Sequence, residues 1–205
     1  MNDTILIIAN GPSTLNNEYG NIIDRFPEIA RINNYKISGF SNLIGSKTTI
    51  WFNGANRKIK VRSNNIPSKV VVFVPYQLLI EKENEVIKRT PERLGLQPSQ
   101  YELISKEKME HYETISNIKR PTTGFNCILW SMENYKTVVI HGFDFFIDSR
   151  YHYYDSFFIK KILDMGLTNR SKKHDNFSEK KYVEELVKNK IICKLSDFIK
   201  QKNNL

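Results

Sequence analysis

Two cysteines in 205 residues, Cys127 and Cys193, with no CxxC spacing between them, leave nothing from which to build a disulfide framework or a thiolate metal site. No apolar run approaches the roughly 18–20 residues needed to cross a bilayer. The N-terminus lacks the basic stretch, long apolar core and cleavage site of a signal peptide. Together these absences make the cytoplasm the expected location. There is no internal repeat, no low-complexity tract and no segment polar enough to read as disordered. DxD is absent, as is any His/Asp/Glu cluster at ligand spacing, so no metal site is expected.

Acidic residues are in short supply. Against 31 lysines and arginines stand 22 aspartates and glutamates, a net charge of +9. Such a surplus favours anionic partners: nucleic acid, an anionic membrane surface, or a phosphorylated or acidic small molecule. Lysine and arginine are densest in the last third, in "NRSKKHDNFSEKK" and the Lys-rich end. A solubilising basic face is the plain alternative. What the chain does have is 40% hydrophobic and 12% aromatic residues, enough for a sizeable core in one domain spanning 1–205, with a lid expected around 144–177.

Short apolar runs bounded by turn residues predict interior strands at residues 4–9, 30–34 ("ARINN"), 48–52 ("TTIWF"), 69–74 ("KVVVFV"), 136–143 ("KTVVIHGF") and 191–195 ("IICKL"). Helices are predicted at 17–25, at 123–135, at 179–189, and across 81–119, where Pro91, Gly95 and Pro98 break the pattern. Alternating strands and helices indicate an α/β, Rossmann-like fold, a mainly parallel sheet flanked by helices. Ligands in such sheets bind beyond the carboxyl ends of the strands. That rule selects three loops: Asn10 to Ser13, the polar segment after Phe52, and the stretch after Phe143. In the first of these, "ILIIANGPS" breaks from strand into Asn10, Gly11, Pro12 and Ser13, a turn whose amides and following helix can face an anion. It is neither GxGxxG nor a P-loop.

Four separated segments resemble the sialyltransferases, glycosyltransferase family 29, and more distantly the bacterial family 42. "ILIIANGPS" followed by "ARINNYKISGFSNLIGSKTTIWF" resembles the large sialylmotif. "RPTTGFNCILWSMENYKTVVIHGFDFF" resembles the small one, "HYYD" at 152–155 the short aromatic motif, and "HDNFSE" at 174–179 the very small motif. The four cover about half the chain, in the family's order, with "GSKTT" and "HYYD" carrying most of the weight. Departures exist. Ala9 stands where the family has glycine, and the family's paired motif cysteines are missing, so their disulfide cannot form. No anchor or stem is present, and the stretch between the large motifs is short. A bare catalytic domain of bacterial or viral type, with reduced acceptor-binding elements, is the expectation.

The resemblance implies an inverting, metal-independent transfer from CMP-sialic acid to a glycan or lipid-linked glycan hydroxyl, with no cofactor beyond the CMP-activated donor. It makes His174 the general base, since a histidine titrates near neutral pH; a surface His in a basic loop is the alternative. Glu179 orients the loop or His174, or simply favours a helix N-terminus. Tyr153 is expected to donate to the leaving oxygen, with Tyr154 and His152 near acceptor or phosphate; aromatic packing over a lid competes with this. Asn10 and Asn33 match residues that contact phosphate and ribose, with turn chemistry as their alternative. Gly11, Ser13 and the strand-ending Gly142 join them at the nucleotide. Thr122, Thr123 and Gly124 bring backbone close to it, or cap a helix. Ser46, Lys47 and Thr48 are expected to support the fold.

Two rival readings stay open: a CMP-Kdo transferase on the same scaffold, and a basic nucleic-acid-binding domain. RNP-type sequence, zinc spacing and a helix-turn-helix pattern are all absent, so no nucleic acid is expected. A degenerate CMP-binding relic is a further possibility, against which both His174 and Glu179 are retained. Peripheral contact with anionic lipid at the inner face of a membrane is the expected setting.

Overall fold

Ile5, Leu6, Ile7 and Ile8 are almost completely shielded from solvent, a burial that a strand attains only when both faces of its sheet are covered. The computed structural model describes residues 2–62, 64–145, 147, 151–156 and 174–203. In it β1 (Asn2–Ile8) lies between β2 (Glu28–Ile32) and β6 (Tyr135–His141), with Ile5 opposite Glu28 on one side and Val138 on the other. With β3 (Ile50–Asn53), β4 (Lys69–Val72), β5 (Glu102–Leu103) and β7 (Cys193–Lys194), the described residues form one parallel sheet in the order β5-β4-β3-β2-β1-β6-β7. The expected α/β, Rossmann-like architecture is therefore the one observed.

The two faces of the sheet follow from the two-residue period of a strand. Ile5 and Ile7 join the larger core with side chains of α3 (Tyr76–Leu94), α4 (Lys106–Ser116), α5 (Thr123–Asn134) and α6 (Asn176–Lys188), among them Leu79, Met109, Ile128 and Val183. Leu6 and Ile8 join a smaller core with Ile23 of α1 (Gly20–Ile23), Phe26 and Leu195 of α7 (Leu195–Asn203). The chain runs outward from β1 to β5, then returns to place β6 on the other side of β1. That reversal puts a crevice at the carboxyl ends of β1 and β6.

The "GSKTT" segment holds this frame together. Arg31 is wholly buried; its Nε donates to Thr48 Oγ1 (2.9 Å), and its Nη2 donates to the carbonyls of Ile44 (2.6 Å) and Gly45 (3.1 Å) at the end of α2 (Ser41–Ile44). Asp24 accepts from the backbone N–H groups of Ser46 (2.8 Å) and Lys47 (2.9 Å) and from the Ser46 hydroxyl. These residues support the fold, as expected of them.

Several elements depart from the expected ones. The helix at 17–25 shrinks to Gly20–Ile23, and "IICKL" contributes only Cys193–Lys194 before Leu195 starts α7. Pro91 does not break α3, which kinks at Lys82 and ends where Gly95 takes a left-handed φ of 68°. Pro91 lies in the last turns, where its carbonyl accepts from the N–H groups of Gly95 and Leu96. Of the lid expected around 144–177, residues 146, 148–150 and 157–173 lie outside the described residues. No described helix is long and apolar enough to cross a membrane.

Candidate active site

The pairing of β1 with β6 continues past both strands: Ala9 N–H donates to the His141 carbonyl (2.8 Å) and Gly11 N–H to the Gly142 carbonyl (3.0 Å). Gly142 turns the chain away at a φ of 72°, where a Cβ would collide with the Thr14 hydroxyl. Between these contacts Asn10 is held almost entirely out of solvent. Its Nδ2 donates to the Ile32 carbonyl at 2.8 Å, which fixes the orientation of the amide. Among the described residues the Asn10 Oδ1 is consequently buried with no hydrogen-bond partner, in the wall of a cavity of about 320 Å³. A buried acceptor left unpaired is costly, so it marks a place where a ligand donor belongs.

The same cavity is lined by Gly11, Asn33, Thr122, Thr123, Gly124, Gly142, His152, His174 and Glu179, which come from five separate stretches of chain. Asn33 adopts a left-handed φ of 50°; its Oδ1 accepts from Gly54 N–H (3.1 Å), which ties the end of β2 to the loop after β3. Thr122 caps α5, its Oγ1 accepting from Phe125 N–H at 3.1 Å. Thr123 and Gly124, in the first turn of that helix, have no preceding helical carbonyl for their N–H groups and line the cavity, so a helix N-terminus borders it.

Glu179 reaches across from α6 to Thr122, accepting from its N–H at 2.6 Å and its hydroxyl at 2.7 Å. It is 1% exposed, and burial pushes its carboxyl up to about 7 against the opposing effect of the two Thr122 bonds. Among the described residues its hydrogen bonds go to Thr122 and not to His174, and it sits in the first turn of α6, the alternative placement expected of it. His174 is held from elsewhere. Its Nδ1 lies 2.7 Å from the Arg120 carbonyl, and because a carbonyl only accepts, Nδ1 is the donor in that contact. Arg120 presents that carbonyl from a strained left-handed φ of 52° directly before Pro121, with its N–H donating to Glu113 Oε1 at 3.1 Å.

Three expected site residues, Ser13, Tyr153 and Tyr154, do not line this cavity. Ser13 was to face an anion with its turn, but the Asp144 carboxylate already occupies that place. It accepts from Ser13 N–H at 2.9 Å and from the Ser13 hydroxyl. A Cβ at position 11 would collide with that carboxylate, so Gly11 serves the approach of Asp144. Tyr153 is 3% exposed, and its hydroxyl donates to the Lys36 carbonyl (2.5 Å) and accepts from Lys36 N–H (3.1 Å). Burial pushes its phenol up. It braces the wall, and its own N–H donates to the Asn10 carbonyl at 3.0 Å. Tyr154 stacks on His152 with ring centroids 5.2 Å apart, and only His152 lines the cavity. Residues not singled out from sequence include Asp144, Asn56, Phe143 and Asn176. The first three lie in the loops that the strand-end rule selected.

A second cavity, of about 440 Å³, adjoins the first and shares Asn56, Thr123 and His174 with it. Among the described residues, no group of three or more His, Cys, Asp or Glu side chains is placed to hold a metal ion.

The family model for glycosyltransferase family 29 (sialyltransferase) matches residues 4–191. The chain belongs to glycosyltransferase family 29. Among relatives, the mouse CMP-N-acetylneuraminate-beta-galactosamide-alpha-2,3-sialyltransferase 4 is 24% identical over 188 residues, which span 78% of this chain and 56% of the mouse protein. The Arabidopsis thaliana beta-1,6-galactosyltransferase GALT29A is 38% identical over 50 residues, 24% of this chain and 13% of the plant protein. The family 29 chain thus spans little more than half the length of the first of these. By fold it is similar to a mammalian sialyltransferase crystallised with Gal-beta-1-3GalNAc-ortho-nitrophenol, with a TM-score of 0.66 and 18% identity over 95% of this chain and 69% of that one. It is also similar to the sialyltransferase CstII from Campylobacter jejuni in complex with CMP-3FNeuAc, with a TM-score of 0.59 and 17% identity, covering 95% of this chain and 82% of CstII.

Proposed function

We propose that this family 29 protein transfers a sialic acid from CMP-sialic acid to a glycan hydroxyl, with inversion and without a metal ion. The observation that carries the reading is His174. Its Nδ1 proton is committed to the Arg120 carbonyl, so its basic Nε2 serves a ring that borders both cavities. The nucleotide belongs in the cavity with the unpaired Asn10 Oδ1 and the α5 N-terminus, the acceptor in the adjoining one. As the anomeric carbon–oxygen bond breaks, its electron pair leaves on the phosphate, whose growing charge the helix end and the threonine hydroxyls stabilise. The acceptor oxygen attacks the opposite face and gives its proton to His174 Nε2. Glu179 positions Thr122, and Asn10 reads a ribose hydroxyl or the cytosine amino group.

The test is CMP release from CMP-sialic acid and CMP-Kdo, with and without a mixed glycan acceptor pool. Because one relative is named a galactosyltransferase, a nucleotide-activated galactose joins the donor panel. Release from CMP-sialic acid that requires both acceptor and His174 is the expected result. Failure to bind CMP would overturn the reading, and release from another donor alone would reassign the sugar. The +9 charge also supports peripheral contact with anionic lipid; vesicle co-sedimentation indifferent to anionic lipid content would remove that part.

A further inference from the structure

The cavity on the far side of His174 is strongly basic. Arg57, Lys82, Arg89, Arg93 and Arg120 line it, and Glu85 is the one carboxylate in its wall. Glu85 is occupied by Arg89 at 2.5 Å. Among the described residues no carboxylate lies within ion-pair distance of Arg57, Lys82, Arg93 or Arg120. Two of these cations are built into the wall and do not hang from it. Arg93 Nη1 donates to the Ala55 carbonyl at 2.8 Å, and Arg120 Nε is buried without a hydrogen-bond partner among the described residues. The nucleotide cavity, by contrast, has no lysine or arginine among the described residues that line it. Four uncompensated cations converging on one concavity repel each other, and an anion there relieves that repulsion while pairing the buried Arg120 Nε.

We infer that the acceptor saccharide is itself anionic, carrying a phosphate or a carboxylate that seats among Arg57, Lys82, Arg93 and Arg120 while its reacting hydroxyl meets His174. This inference rests on the transferase reading above and adds the acceptor's chemical class. Guanidinium groups suit both anions, since their fork matches phosphate and carboxylate alike. A neutral galactoside would leave the four charges as they are.

Equilibrium binding to the full chain saturated with CMP tests it, using three probes: methyl β-galactoside, its 6-phosphate, and methyl β-glucuronide. The expected result is binding of at least one charged probe about tenfold or more tighter than the neutral one, with the preference shrinking as salt rises. Whichever charged probe wins identifies phosphate or carboxylate as the group recognised. The double variant Arg57→Gln/Lys82→Gln, at exposed positions with no ion pair to lose, is expected to cut that preference severalfold while leaving CMP affinity within about twofold. Equal binding of all three probes with CMP binding intact overturns the anionic acceptor and leaves the transferase reading standing. Loss of CMP affinity in the double variant would give this cavity to the donor and overturn the inference. Absence of CMP binding in the unaltered protein would overturn both.

Discussion

On the β1 side of His174 the cavity walls carry amides, hydroxyls and aromatic rings, with Asp144 and Glu179 the carboxylates among them. On the α3 side they carry five cations and one glutamate. Two cavities that share a histidine therefore manage charge by different means. The first uses oriented dipoles, the α5 N-terminus and fixed amides, and its own carboxylates are tied down, Asp144 on Ser13 and Glu179 on Thr122. Dipoles of this kind stabilise charge as it develops without forming an ion pair. The second uses exposed and wall-fixed cations, which suit a partner that arrives already charged.

The largest effect is expected at the shared wall. His174→Ala should lower acceptor-dependent CMP release by about 10²–10⁴-fold, the usual scale for a general base. CMP affinity should stay within about twofold, because Asn10 and the α5 N-terminus, the partners proposed for the nucleotide, lie on other elements. Turnover unchanged in that variant would mean that the two cavities do not meet in a common reaction. Asn10→Ala probes the neutral cavity alone. It removes the unpaired Oδ1 and the bond to the Ile32 carbonyl, and CMP affinity should fall by roughly 10–100-fold. Full affinity in isothermal titration would show that the opening turn only shapes the wall.

Glu179 gives the neutral cavity a pH dependence. Its folded-state carboxyl is raised to about 7 from the ordinary 4.5, with burial as the cause. A raised carboxyl binds more protons folded than unfolded, so its contribution to stability is present in acid and is lost as pH rises through 7. Between pH 5 and 8 the loss is on the order of 2 kcal/mol. Half-buried His141 acts oppositely, since desolvation pushes its imidazole down and acid then disfavours the fold. The difference between wild type and Glu179→Gln isolates the term. The variant keeps an acceptor for Thr122 N–H, and should be the more stable of the two at pH 8 and not at pH 5. Parallel urea curves across that range would show that the carboxyl is not held up.

Much of the frame was legible because its signals are local. "ILII" is a buried strand by composition alone, and Pro121-Thr122-Thr123-Gly124 ahead of an apolar run reads as a helix cap, which Thr122 is. The three loops that the strand-end rule selected all contribute to the lining of the first cavity. What stayed hidden depends on distance along the chain. Asp144 reaches Ser13 across 131 positions, and no turn signature at residue 13 reports that its hydroxyl is already claimed. Tyr153 likewise finds Lys36 across 117 positions. The basic cavity draws on residues 57, 82–93 and 120, whose charges look dispersed until the fold gathers them. β5, with two residues, is too short to show a period.

Ser13→Ala is the smallest expected effect and the sharpest check on the comparison. The hydroxyl bonds to Asp144 and Ser13 does not line the cavity, so CMP affinity should change by less than about twofold while stability falls by about 1 kcal/mol. The backbone N–H of residue 13 keeps its bond to Asp144 in the variant, which holds the carboxylate in place. A nucleotide phosphate entering that turn would have to displace Asp144 first, because two anions cannot share one set of donors without a large repulsive cost. Removing the hydroxyl would then loosen Asp144 and tighten CMP binding, or strip a phosphate donor and weaken it. Either change, tenfold or larger in titration, would make the opening turn part of the nucleotide site with Asp144 as its competitor, and the first cavity could no longer be described as one whose carboxylates are permanently tied down.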